Sequence, residues 1–373
     1  MVFKRSPAIT REQVLEALKD VQDPELHRSI VELDMVRDIA IAGGHVGVHA
    51  VLTISGCPLK DTIVDSIKSR VASLPGVDRV EVHLGVMNPE ERQALIQKLR
   101  GGQGPTRPSP FLSGESPTNV IAVASGKGGV GKSTVTVNVA VALSRLGYRV
   151  GVIDADVYGF SIPRMLGVSG RPTIIDQMII PLERDGIRVI SIGFMLPGED
   201  EAVVWRGPML HKALTTFISE VHWGELDYLL MDLPPGTGDV SLSIAQTLPK
   251  ASMLIVTTPQ AAAAKVAQRS AKMAEKVNMA VVGVVENMSY FQPSADGDRI
   301  YLFGQGGGRL LAEALGVPLL GEIPIDLALR EGGDNGQPLV MARPDSPVAQ
   351  ALVEVARKLA ALVPTPAAVS GAR

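Results

Sequence analysis

Short apolar runs alternate with longer stretches of helical spacing over most of this chain. The runs lie at 120–124, 148–154, 187–192, 228–232, 253–258, 281–286 and 318–323. Compact apolar runs bounded by turn residues read as buried strands. Helical spacing fills most of the gaps, as at 132–146, which Gly147 is placed to end. Repeated strand–helix units predict an α/β fold: a mainly parallel, doubly wound sheet with both faces covered. In such a sheet, ligands sit at the carboxyl ends of the strands.

The first hundred residues follow another pattern. Thr10 followed by Gln13 predicts a capped helix to about Lys19, and Asp23-Pro24-Glu25 breaks it. Residues 36–42 and 45–53 read as strands joined at Gly43-Gly44. Pro58 suits a first helical position, and apolar spacing runs from 59 to 74. Residues 77–86 alternate as a strand. The order αββαβ predicts a small α+β domain over 1–100. Residues 101–118 (GGQGPTRPSPFLSGESPT) lack an apolar period and read as a linker. The large domain is expected over 119–365, with a frayed tail at 366–373.

Composition narrows the function classes. The chain has 373 residues and is 46% hydrophobic, enough for more than one core. A formal net charge of −3 gives no global field favouring nucleic acid or an anionic membrane. No run is long enough for a transmembrane helix, and no apolar signal core follows Lys4 and Arg5. A lone cysteine, Cys57, rules out an internal disulfide and fits a reducing compartment, so the expectation is a cytoplasmic protein.

The chemistry concentrates at predicted strand ends. Gly126-Lys127-Gly128-Gly129-Val130-Gly131-Lys132-Ser133-Thr134 follows the run 120–124 and precedes a helix. A triphosphate is dense in charge, and backbone N–H groups approach it closely only where Cβ atoms are missing. The helix N-terminus then faces the phosphates. Lys132 is expected on the β- and γ-phosphates and Ser133 on Mg²⁺. Asp232 ends the run 228–232 and is a candidate Mg²⁺ ligand. Gly236, in the following Leu-Pro-Pro-Gly-Thr-Gly-Asp, is a candidate N–H donor to the γ-phosphate. Asp239 suits a helix cap. Asp154 and Asp156, two apart in an extended segment, share one side of the chain. Asp156 is the candidate that orients the attacking water, and Asp154 the one that supports Mg²⁺. Asn287 is either a reader of the adenine edge or a turn former. Each of these acids also has a bland reading as a solvated or capping carboxylate.

Together these residues resemble the Mrp/ApbC family of P-loop ATPases, within the MinD- and ParA-like dimerising ATPases. The resemblance rests on ASGKGGVGKST at 124–134, DADVYGFSIP at 154–163, WRGPM at 205–209, MDLPPGTGD at 231–239 and ENMSYF at 286–291. Residues 10–96 resemble the small iron–sulfur-assembly domain, with DPEL at 23–26 and SGCPL at 55–59. The resemblance implies a Mg²⁺-dependent ATPase acting as a homodimer around two ATP molecules. Lys127 would then reach the γ-phosphate bound by the other subunit, with the logic of an arginine finger. It also implies iron–sulfur cluster transfer to apoprotein clients or assembly partners. The family's Cys-x-x-Cys pair is missing here, because 292–299 reads Gln-Pro-Ser-Ala-Asp-Gly-Asp-Arg. Cys57 is the remaining thiolate candidate, near a predicted helix start that would favour its ionised form. Its alternative is a buried or capping cysteine with no chemistry. The resemblance also lets Asp23, Glu25 and Thr53 line the same pocket.

Other signals carry less. His45 and His49 fall on a predicted strand, where their spacing does not make a metal site. Arg269, Lys272 and Lys276 read as a solvated helix face, and Gly304–Gly308 as the lead-in to a helix. Residues 347–362 are amphipathic but too poor in basic residues for a membrane anchor. Three functions compete: an ATP-dependent cluster carrier or assembly factor, an ATP-driven scaffold that holds no cluster, and a surface-positioning ATPase. The charge and the fused small domain speak against the third.

Overall fold

The computed structural model describes residues 9–56, 59–101, 111, 116–157, 159–196, 207–236, 244, 247–248, 250–276, 278–294 and 297–365. The chain forms two compact units. One is Met1–Arg107 together with Thr173–Ile180; the other is Pro108–Pro172 with Pro181–Arg373.

In the first unit, Thr10 caps the helix Arg11–Leu18 through a capping box with Gln13. Strands β1 (Val36–Ala42) and β2 (His45–Leu52) form an antiparallel hairpin. Strand β3 (Arg79–Val86) then returns parallel to β2 after the helix Lys60–Ala72. That helix has Leu59 as its N-cap, so it starts later than the placement of Pro58 at a first helical position predicted. Cys57 and Pro58 lie outside the described residues. A further helix, Pro89–Leu99, follows β3 and was not expected. Its start is written in the sequence: Asn88 caps it, Pro89 opens it, and Glu91 closes a capping box. Val14, Leu18, Ile30, Val48, Ile63, Ile67 and Leu95 share one buried core.

The second unit is built on strands β4 (Asn119–Ser125) and β5 (Val150–Asp154). The chain then leaves the sheet for a separate two-stranded hairpin, β6 (Thr173–Ile175) and β7 (Met178–Ile180). It returns through β8 (Leu182–Arg184), β9 (Ile187–Ser191), β10 (Tyr228–Asp232), β11 (Ser252–Thr257), β12 (Ala280–Phe291) and β13 (Leu319–Ile325). The eight-stranded sheet has the order β13-β12-β11-β4-β10-β5-β9-β8. Only β8 runs antiparallel, against β9 at the edge. The mainly parallel sheet predicted from the apolar runs is therefore what forms.

From β4 the chain first builds toward β8 and later toward β13, so the loop after β4 sits at a topological switch point, the usual ligand crevice of such sheets. Register fixes what meets there. Asp232 pairs with Asp154, and Asp154 with Ser191, so β10, β5 and β9 end on adjacent polar side chains. The helices Lys132–Arg145 and Pro347–Leu362 share the core under this sheet, burying Val139, Leu143, Leu352, Val355 and Leu359. Among the described residues, no helix is long and apolar enough to cross a membrane.

The hairpin β6–β7 belongs to the first unit, although it comes from the middle of the second unit's sequence. Ile175, Met178 and Ile180 lie in the first unit's core. The expectation of one uninterrupted domain over 119–365 did not foresee this excursion, because its strands are only three residues each and carry no long period.

Leu352 is fully buried between sheet and helix. Leu352→Ala should cost about 2–5 kcal/mol, seen as a lowered urea midpoint for the transition of the second unit.

Candidate functional site

The loop 126–131 leaves β4 and runs into the helix Lys132–Arg145. Two of its glycines are sterically required. A Cβ on Gly126 would lie 2.3 Å from the backbone nitrogen of Ala267, in the helix Ala261–Lys276. Gly131 has φ +77° and, with a Cβ, would meet the Asn287 amide nitrogen at 2.2 Å. The loop is thus clamped from both sides. Gly128 and Gly129 lie on its exposed face, where a Cβ on Gly129 would meet nothing within 4 Å. This leaves their backbone open to a phosphate chain.

Asn287 has a role the sequence did not suggest. Its side-chain amide is buried and donates to the Val130 carbonyl oxygen at 2.9 Å, holding the loop from beneath. That bond uses one of the amide's two N–H groups. Gly236 departs from expectation too. Its N–H donates to the Ser125 carbonyl at 2.8 Å, closing the turn after β10 onto the end of β4. It is therefore not aimed at a γ-phosphate. Asp239 and the Trp205-Arg206 part of the WRGPM motif lie outside the described residues.

Below the loop is a buried charged cluster. Lys132 Nζ lies 2.6 Å from Asp232 Oδ2 and 3.8 Å from Asp156 Oδ2. Ser133 Oγ donates to Asp232 Oδ2 at 2.5 Å, and Thr136 Oγ1 to Asp232 Oδ1 at 2.8 Å. Asp232 and Ser133, both predicted Mg²⁺ ligands, are thus brought together. Two hard oxygens on neighbouring elements, beside an open glycine backbone, fit a small dication bound with phosphates. Asp156 is largely buried at the rim of this cluster.

Asp154 is placed differently. It is fully buried and accepts hydrogen bonds from the backbone N–H groups of Ser161 (3.0 Å), Ile162 (3.1 Å) and Asp156 (3.3 Å), and from Ser191 Oγ (3.2 Å). These bonds tie the loop after β5 to the start of the helix Ile162–Leu166. Asp154 is built in as an organiser of that loop, with its oxygens already occupied. Burial, and next the charge of Asp232, push its pKa up to about 8 against the pull of the N–H donors and Lys132.

Lys127 is exposed, and its Nζ donates to Gln260 Oε1 at 2.6 Å. Gln260 follows β11, two residues after Thr258, whose buried hydroxyl has no partner among the described residues.

The chain is similar to known proteins along most of its length. Residues 116–360 match the ParA-type family of NUBPL iron-transfer P-loop NTPases, and residues 11–84 match the iron–sulfur cluster assembly protein family. A protein of Mycobacterium leprae named iron–sulfur cluster carrier protein is 49% identical, over 94% of this chain and 93% of its own length. One of the same name from Mycobacterium bovis is 51% identical, over 91% and 90%. A solved nucleotide-binding protein from Archaeoglobus fulgidus, in complex with ADP, is 41% identical with a TM-score of 0.54, covering 62% of this chain and 90% of that one.

Folding raises the Asp154 pKa from 3.8 to about 8, so over that range the folded chain keeps a proton that the unfolded chain has lost. The stability this gives is complete below about pH 4 and gone once pH rises through about 8. Asp154→Asn keeps an acceptor and removes the titration. Thermal melts from pH 5 to 8.5, without nucleotide or divalent cation, should show a flatter pH dependence in this variant and a smaller loss on the alkaline side. With its phosphate loop, in-register acid cluster and fused amino-terminal module, the chain belongs to the family of NUBPL iron-transfer P-loop NTPases.

Proposed function

We propose that this protein is a Mg²⁺-dependent ATPase that works as a homodimer to carry or assemble iron–sulfur clusters for client apoproteins in a reducing, cytoplasmic setting. The observation that carries the reading is the convergence of Lys132, Ser133 and Asp232 directly beneath an open glycine loop. The names of its relatives and the ADP complex of the A. fulgidus protein support it.

On this reading the backbone N–H groups around Gly128, Gly129, Val130, Gly131, Lys132 and Thr134 surround the phosphates, with the helix dipole behind them. Lys132 exchanges its contact with Asp232 for the β- and γ-phosphates. Ser133 and Asp232 would hold Mg²⁺, which would offset the negative charge of the phosphates. Asp156, at the rim, orients the attacking water. Asn287 and Gly126 keep the loop in shape, and Asp154 keeps the loop after β5 in place. Lys127 leaves Gln260 and places its ammonium on the terminal phosphate held by the other subunit, where charge develops in the transition state.

The cluster is cargo. Residues 292–299 hold no cysteine and Cys57 is the chain's only one, so two subunits supply two thiolates and a partner protein or small thiol supplies the rest. The same fact favours a second reading: a nucleotide-driven scaffold that recruits assembly proteins and never holds the cluster. Anaerobic reconstitution with iron and sulfide separates the two. A stoichiometric cluster absorbance in wild type, lost in Cys57→Ala, is the expected result. Wild type with no cluster would leave the scaffold.

Lys127→Ala should lower ATP turnover by about 10³-fold or more, the range of trans-acting cations, with nucleotide affinity kept within about tenfold. Lys132→Ala should lose nucleotide binding itself. Steady-state phosphate release and titration with a fluorescent ADP analogue separate these outcomes. Unchanged turnover in Lys127→Ala would remove its role across the dimer.

A further inference from the structure

The hairpin β6–β7 has no part in the site described above, yet its connections lead straight to it. On its amino-terminal side, Asp154 holds the N–H groups of Ser161 and Ile162 at the start of the helix Ile162–Leu166. That helix ends at Gly167, whose carbonyl accepts from Arg184 Nη1 and whose Cα packs against Gly336. Residues 167–172 then lead into β6. On its carboxyl-terminal side, Pro181 alone separates β7 from β8, the edge strand of the eight-stranded sheet. Both ends of the hairpin are therefore fixed, within a few residues, to the scaffold of the phosphate site.

At its other end the hairpin is bound into the first unit. Ile175, Met178 and Ile180 are buried in that unit's core. Thr173 Oγ1 donates to Glu25 Oε1 at 2.6 Å. Asp176, at the turn with φ +54°, accepts from Arg92 Nε at 3.1 Å. Arg92 in turn donates to the Met87 carbonyl oxygen at 2.8 Å. The Thr173 contact falls on the DPEL corner, where Asp23 is buried and accepts the N–H groups of Glu25 and Leu26. Burial, opposed by the Thr173 hydrogen bond, raises the Glu25 pKa. The small unit is therefore not self-contained: a segment from the ATPase sequence completes its core and holds its acidic corner.

We propose that Thr173–Ile180 is a strap by which nucleotide loading at the phosphate loop tightens the small unit around its Asp23–Glu25 corner. This rests on the nucleotide site proposed above. The direction follows from linkage. Local openings that detach Ser161 and Ile162 from Asp154 disturb the loop after β5, which carries Asp156 at the site's rim. A ligand that binds only the ordered site suppresses such openings and those of segments attached to it.

The test is hydrogen exchange on the full chain, followed by mass spectrometry, with and without saturating MgADP. The expected result is several-fold slower exchange in 173–180 and around Glu25 on loading. Thr173→Val, which removes the latch without changing the apolar contacts, should speed exchange at 173–180 several-fold in the unloaded chain and leave β4, β10 and β11 unchanged. Ile175→Asp should speed exchange in the helices Arg11–Leu18 and Lys60–Ala72 by tenfold or more. If Ile175→Asp does not fold, Thr173→Val carries the same decision. Binding of a fluorescent ADP analogue is measured in parallel. Binding without any change at 173–180 overturns the strap and leaves the ATPase reading intact. No binding at all overturns both.

Discussion

The second unit depends on a buried ion pair that cannot be justified by stability alone. Lys132 and Asp232 meet at 2.6 Å, with side chains 6% and 0% exposed. Taking both charges out of water costs several kcal/mol per ion, and their attraction repays this only when other hydrogen bonds complete the shell. Ser133 and Thr136 supply those bonds to Asp232. The arrangement makes sense as a stored interaction. The lysine is held at low exposure beside the carboxylate, next to an open glycine loop.

That pair exists because of register. Parallel strands that end together bring Asp232, Asp154 and Ser191 side by side, and the loop after β4 lowers Lys132 onto them. Placing two carboxylates together in a dry site creates a conflict, and the structure resolves it unequally. Asp232 receives the cation and the hydroxyls. Asp154 receives backbone N–H groups and is pushed toward its neutral form. One acid thereby meets the loop lysine and the other organises a loop, although both end a strand and look equivalent in the sequence.

Much of this was legible in the chain. The phosphate loop combines glycine spacing, a lysine and a hydroxyl in an order whose chemistry allows few alternatives, and its strand and helix are marked by plain apolar patterns. Asp232 could be named because it closes such a strand. The sequence could not tell Asp154 from a metal ligand, because its role depends on donors at Ser161, Ile162 and Ser191 that only the folded loops bring near. The contact of Asn287 could not be read from the sequence for a similar reason: an amide after a strand can face a ligand or a neighbouring carbonyl, and Val130 is far away in sequence. Gly236 was assigned by its loop alone, without the Ser125 carbonyl that takes its N–H. The helix Pro89–Leu99 could have been found from Asn88-Pro89-Glu90-Glu91, whose capping signal is local.

The hairpin's place in the other unit also changes what the boundary at 101–118 means. By sequence this stretch looks like a natural point to divide the protein, but the hairpin crosses that division. A shortened chain that starts after it would still carry Ile175, Met178 and Ile180, now stripped of the side chains that shelter them. Each such apolar side chain left in water forfeits about 1.5–3 kcal/mol of burial. The liberated fragment would present a greasy, strand-forming tip to its neighbours, the kind of surface that seeds self-association. The two modules are thus joined as one inheritable unit: neither can be exchanged, by recombination or by a protein engineer, without reworking this short ribbon.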